Sequence, residues 1–156
     1  MKFLKRLFVL MFTLSIFVTA TLPTTVSANS NIRQGTVRVV VGNTEIDPLA
    51  DELVYNGKRY INSDFFVFFI SLGMEREICT ASYNEYNKSV TAEFINGGYV
   101  SLFGNTNKIR ILNNDFYTTN KLLWKDNRVY IAAEDIADFL YLDYGFDASK
   151  NTIYFY

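Results

Sequence analysis

Glu134, Asp135 and Asp138 are the residues whose types and spacing come nearest to a reactive set. Glu134 and Asp138 lie four apart, one turn of a helix, where two carboxylates could flank a glycosidic bond as acid and base. The same acids also suit a first helical turn, whose free N–H groups favour negative charge, and Asp135 and Asp138 then read as a solvated face. Asp143, Asp147 and Asn151 offer oxygen ligands near a turn, but their spacing fits no calcium-binding loop and ordinary turn chemistry accounts for them. The chain has no histidine, which removes the commonest general base, and its single cysteine, Cys79, has no imidazole to activate it. Cys79 sits in an alternating stretch, as a buried apolar residue or as a thiol for a bridge between chains. No catalytic residue, metal site or cofactor is expected from this set. The other candidates are aromatic: Phe65 and Phe68 in one apolar run, and Tyr154 and Tyr156, which alternate with Ile153 and Phe155 at the C-terminus. Such rings can stack on a sugar or fill a protein pocket.

The elements that must position these residues repeat. The stretch YINSDFFVFFISLG from Tyr60 recurs in altered form as YIAAEDIADFLYLD from Tyr130, an offset of 70 residues, and each copy follows a basic residue, Lys58 or Arg128. Taken alone, Phe65 to Ile70 could be a buried strand or a helix. In the second copy the apolar residues Ile136, Phe139 and Leu140 fall at helical spacing, which predicts a helix in both. Phe66, Phe69 and Ile70 then face the core. Phe65 and Phe68 take the positions of Asp135 and Asp138, so the spacing puts two aromatics on the outer face of the first helix.

The first residues read as a secretory signal. Lys2, Lys5 and Arg6 form a basic start, Leu7 to Ala20 an apolar run, and Val26-Ser27-Ala28 a small-residue cleavage site, giving a signal peptide over 1–28. The apolar run is short for a membrane span, so no membrane insertion is expected after cleavage. Residues 29–35 read as a flexible leader, and 36–156 as one domain. Removing the signal leaves twelve basic against sixteen acidic residues, a net charge of −4, which opposes nucleic-acid binding.

Along the chain, Thr36 to Val41 and Thr44 to Asp47 read as strands, and Pro48 to Glu52 as a break. Asn56-Gly57 between two β-rich runs predicts a hairpin with a type I′ turn. Asn62 or Ser63 can cap the following helix, and Gly73 can close it in the left-handed conformation. Hairpins follow around residues 84–88 and 96–98, then strands Tyr99 to Phe103 and Lys108 to Leu112, and a turn at Asn113-Asn114-Asp115. Leu122 to Trp124, Arg128 to Ile131, a helix from Ala133 and a last hairpin complete the chain. The fold class this predicts is α+β: two β-hairpin/helix/β-hairpin repeats, about 36–106 and 107–156, in a mainly antiparallel sheet with a helix packed on each unit.

In pattern the chain resembles the copper amine oxidase-like N-terminal domain, or stalk domain, of exported proteins of Gram-positive bacteria. The resemblance rests on Asn56-Gly57-Lys58-Arg59-Tyr60-Ile61, the helix to Leu72-Gly73, and Asn87-Lys88-Ser89-Val90-Thr91. The second unit supplies Asn127-Arg128-Val129-Tyr130-Ile131, the helix to Leu142, and Lys150-Asn151-Thr152-Ile153. Val100 to Asn105 is similar to the family's connector. The family's Val-Pro-Leu-Arg-like lead into the helix is replaced here by Ile61-Asn62-Ser63-Asp64 and Ile131-Ala132-Ala133-Glu134. Oxidase activity is not implied, because the copper site of those oxidases uses three histidines and their quinone-forming Tyr motif does not occur in this chain. What the resemblance implies is a secreted, noncatalytic module that binds a protein or glycan at the cell envelope, with Phe65, Phe68, Tyr154 and Tyr156 as contacts and self-association as a further option. The competing expectation is a small secreted hydrolase or inhibitor-like effector using a carboxylate site.

Overall fold

The structure, a computed structural model, describes residues 32–95 and 97–156; the expected signal peptide and the first part of the leader lie outside them. The order is β1 (Ile32–Val41), β2 (Thr44–Tyr55), β3 (Lys58–Asn62), α1 (Ser63–Gly73), β4 (Ile78–Asn84), β5 (Ser89–Phe94), β6 (Tyr99–Phe103), β7 (Lys108–Ile111), β8 (Asn114–Tyr117), β9 (Leu123–Lys125), β10 (Arg128–Ala132), α2 (Ala133–Leu140), β11 (Tyr144–Asp147) and β12 (Thr152–Phe155). The protein is α+β, with two sheets whose pairings are antiparallel except for β1 beside β12. The seven-stranded sheet runs β11-β12-β1-β2-β3-β10-β9, and the five-stranded sheet β4-β5-β6-β7-β8.

Strand and helix join at equivalent places in the two halves. Tyr60 stands opposite Ala132, Ile61 opposite Ile131 and Asn62 opposite Tyr130, so the two strands meet about the Ile61/Ile131 pair. Because they run antiparallel, α1 and α2 leave the sheet at opposite ends. Both preceding hairpins turn through two residues with positive φ, Asn56 (51°) and Gly57 (79°), then Asp126 (50°) and Asn127 (59°). That is the type I′ geometry matching the twist of the flanking strands.

One apolar core is shared by both sheets and both helices, from Val39, Ile61 and Phe66 through Val100 and Leu102 to Ile131, Ile136 and Phe155. A smaller cluster, Leu53, Tyr60, Tyr130 and Ala132, occupies the opposite face of β2, β3 and β10. The large sheet curls. In a flat sheet β3 and β11 would lie about 19 Å apart, four strand spacings. Here the Arg59 guanidinium of β3 stands 3.2 Å from the ring centre of Phe146 in β11, and α2 touches both strands. Arg59 also pairs with the buried Glu52, so the seam is closed by a cation held between a carboxylate and an aromatic face.

Several expectations are corrected. The leader does not extend to residue 35, because 32–35 already pair with Glu52 to Tyr55. Pro48 does not break the chain: β2 continues through it, and the register with β1 shifts between Val37 and Val39, a bulge that absorbs a residue without an N–H. Residues 114–117 form strand β8 rather than a continued turn, with Leu112 carrying the positive φ. Gly73 stays helical, and Glu75 (φ 54°) takes the left-handed position past α1.

Gly104 N–H donates to Lys88 O at 2.8 Å, extending the β5–β6 ladder, and Asn105 N–H donates to Leu122 O at 2.6 Å, which ties the five-stranded sheet to the segment entering β9. A Cβ on Gly104 would lie 2.7 Å from Trp124 Cβ and 3.0 Å from Lys88 O. Gly104→Ala should therefore destabilise the fold by about 1–3 kcal/mol, measured as a lower urea midpoint with unchanged slope.

Candidate functional site

An open cleft of about 960 Å³ lies between the ends of the two helices and the β7–β8 hairpin, with Phe69, Met74, Phe116, Phe139, Tyr141 and Leu142 on its walls. Apolar and aromatic groups dominate, as in ligand sites that gain affinity from burial and orientation from a few polar groups. Phe139 joins the walls: its ring meets Phe66 edge-on at 5.0 Å and Phe116 edge-on at 5.5 Å. Thr118, Thr119, Asp135 and Asp138 supply the polar part.

Asp135 sets the floor. It is 5% exposed, not solvated as the helical pattern predicts. Its carboxylate accepts from Thr119 N at 2.9 Å, from Asn120 N at 3.1 Å and from Asn120 Nδ2 at 3.0 Å. These bonds pin the segment after β8 against α2. The equivalent position in α1, Phe65, is likewise buried at 8%, stacked on Phe155 at 5.7 Å and tilted against Phe69 at 4.8 Å. Phe65 is thus a core residue, not an outer-face contact. The sequence shows the chemical difference but not the shared burial, which comes from different neighbours: Phe155 of β12 covers Phe65, and the segment 119–120 covers Asp135.

The remaining candidates do not converge. Phe68 is 40% exposed and meets Phe69 edge-on at 5.9 Å, outside the cleft walls. Tyr154 is half-buried between β1 and β11, and Tyr156 is 64% exposed beside Gly145. Glu134 is exposed and pairs with Lys58 Nζ at 2.6 Å, and Asp138 is exposed at the cleft rim. Asp147 accepts from Ser149 N at 2.9 Å and Ser149 Oγ at 2.7 Å, and Asn151 Nδ2 donates to Thr36 O at 2.7 Å, so these groups serve their turn. The hydrogen bonds from Ser149 hold the Asp147 carboxyl below its ordinary value. Cys79 is exposed at the register shift of edge strand β4, contrary to a buried reading.

Two features of the cleft escape sequence reasoning. Tyr141 closes α2 in the left-handed conformation at φ 56°, where Gly or Asn is favoured, and is 95% exposed. Strand β8, built of turn-forming residues, is held to β7 by a bidentate Arg110–Asp115 pair at 2.6 and 3.1 Å and by Lys108 at 2.8 Å. Comparison with protein-family models, curated proteins and solved structures finds no match to this chain.

Three outcomes are expected. Asp135→Ala strands three donors near the floor and should cost about 2–4 kcal/mol, with Asp135→Asn losing less; thermal unfolding checks this. Tyr141→Gly removes left-handed strain and no packing, and should raise stability by about 0.5–1 kcal/mol. The Arg110 guanidinium, and after it Lys108, holds the Asp115 carboxyl well below the usual carboxylate range. With the folded pKa depressed, the contribution of Asp115 to stability is present above its unfolded value and lost only as pH falls through the folded one. Carboxyl NMR should find Asp115 still ionised at about pH 3.9, the ordinary Asp midpoint, and Arg110→Met should move its midpoint upward.

Proposed function

We propose that the chain is an exported, noncatalytic binding module of the bacterial cell envelope, built on a duplicated plan similar to the copper amine oxidase-like N-terminal domain, and that it holds a protein partner through the cleft at the helix ends. Duplication is supported by the paired type I′ turns, by the strand-to-helix joints and by the β3–β10 register, all related by the same 70-residue offset. Residues 61–68 and 131–138 also share one sequence of buried and exposed positions. Export is read from the basic and apolar start of the chain.

The observation that carries the binding reading is the cleft itself, open and aromatic, with an exposed Tyr141 kept in a conformation that costs stability. A strained residue that is 95% exposed is a candidate for contact with something outside the chain. Binding is favoured over hydrolysis because the carboxylates of α2 are otherwise engaged: Glu134 with Lys58, Asp135 with residues 119–120. The other two carboxylates on the helix of Asp138 are thus both paired.

The uncharged dye Nile red should bind the protein with a stoichiometry of about one, and the protein should cosediment with isolated envelopes of the producing cell. Tyr141→Asp with Asp138→Lys should cut both at least fivefold with an unchanged melting temperature. Undiminished binding by that folded variant would sink the cleft as the functional surface.

A further inference from the structure

The cleft has one wall that is more than apolar. Strand β8 is the last strand of the five-stranded sheet, and among the described residues no strand pairs with its outer edge. Thr118 N donates to Asn107 O at 2.8 Å, which makes Thr118/Asn107 a hydrogen-bonded pair of the hairpin. Strict alternation along an antiparallel ladder then makes Phe116/Ile109 another such pair and turns the N–H and C=O of Asp115 and Tyr117 outward. The same short strand sends Phe116 against Phe139 on the cleft wall. A free row of backbone donors and acceptors therefore borders an apolar trough, the arrangement by which an added strand gains main-chain hydrogen bonds while its alternate side chains enter pockets. The charge is one-sided. Asp135 and Asp138 line the cleft, and neither Lys nor Arg does.

We propose that the partner's contribution is an extended peptide segment that adds to the outer edge of β8 as a further strand. It places alternate apolar or aromatic side chains among Phe116, Phe139 and Tyr141, and a Lys or Arg beside Asp138. This rests on the binding reading of the cleft and specifies its occupant. An edge with these features invites aggregation unless managed, and β8 is short, four residues, with its one charged side chain, Asp115, tied to β7, so it is protected against indiscriminate pairing while remaining open to a matched segment.

The test uses the full chain, Nile red as the cleft reporter, and a panel of acetylated nine-residue peptides in which Thr alternates with Val, Phe or Tyr and one Lys is walked through the alternating positions. At least one peptide should displace Nile red. Its Lys→Glu counterpart and its fully N-methylated version, which keeps the side chains but cannot pair as a strand, should each bind at least tenfold more weakly. The amides of Asp115 and Tyr117 should gain exchange protection on binding. Tyr117→Pro, which removes an outward N–H at an edge where proline is tolerated, should lose the peptide, while Tyr117→Ala, which removes the same cleft-lining ring and keeps the N–H, should still bind it; should the proline variant not fold, the amide protection decides. Nile red bound with no peptide displacing it, or methylated and unmethylated peptides binding alike, would overturn strand addition while leaving the cleft reading intact. A protein that takes up neither dye nor peptide would overturn both.

Discussion

Backbone pairing between β3 and β10, centred on Ile61 opposite Ile131, is the constraint on which the other features depend. Each strand runs directly into a helix, so fixing their register fixes where both helices start. The face carrying Ile61 and Ile131 receives α1, α2 and the inner face of the five-stranded sheet, and the face carrying Tyr60 and Tyr130 holds the smaller cluster. A slip of one residue would exchange those faces and bury what is now outside. The cleft follows from the same geometry, because its walls include the C-terminal end of α1 and much of α2, helices whose starting points that pair sets.

Within this arrangement the third residue of each helix does different work. Phe65 and Asp135 are both buried, yet Phe65 closes the core against Phe155 while Asp135 gathers the N–H groups of Thr119 and Asn120. The apolar choice seals α1 to the C-terminal strand. The carboxylate choice holds the connection from β8 to β9 at a fixed distance from α2, which leaves the space lined by Phe116 and Phe139 open. Burying a carboxylate is tolerable because its oxygens are met by backbone and amide donors.

What was legible in the sequence was local. Asn56-Gly57 predicts its turn because both residues accept positive φ, and the first strand-to-helix joint follows from its capping Asn62, the second from helical spacing alone. Facing was legible only in part: Phe66, Phe69, Ile70 and Ile136 are buried as their spacing predicts, while Phe65 and Asp135 are buried against it. A helix packed on more than one side has no single wet face, and α1, apolar nearly all round, shows this directly. Pro48 to Glu52 and Asn114-Asp115 read as breaks because propensity is local, whereas the bulge opposite β1 and the Arg110–Asp115 pairing that override it are made with other strands. The cleft was not legible at all, since its walls come from α1, α2 and β8, and its most telling residue, Tyr141, is marked by a backbone angle rather than by its type.

The β3–β10 register can be read directly from backbone proton contacts by nuclear Overhauser spectroscopy on isotope-labelled protein. Cross-strand contacts linking Ile61 with Ile131, Tyr60 with Ala132 and Asn62 with Tyr130 are the predicted result. Contacts displaced by one or more residues, or none between these strands, would contradict the shared centre from which the helices, the two-sided core and the cleft are derived.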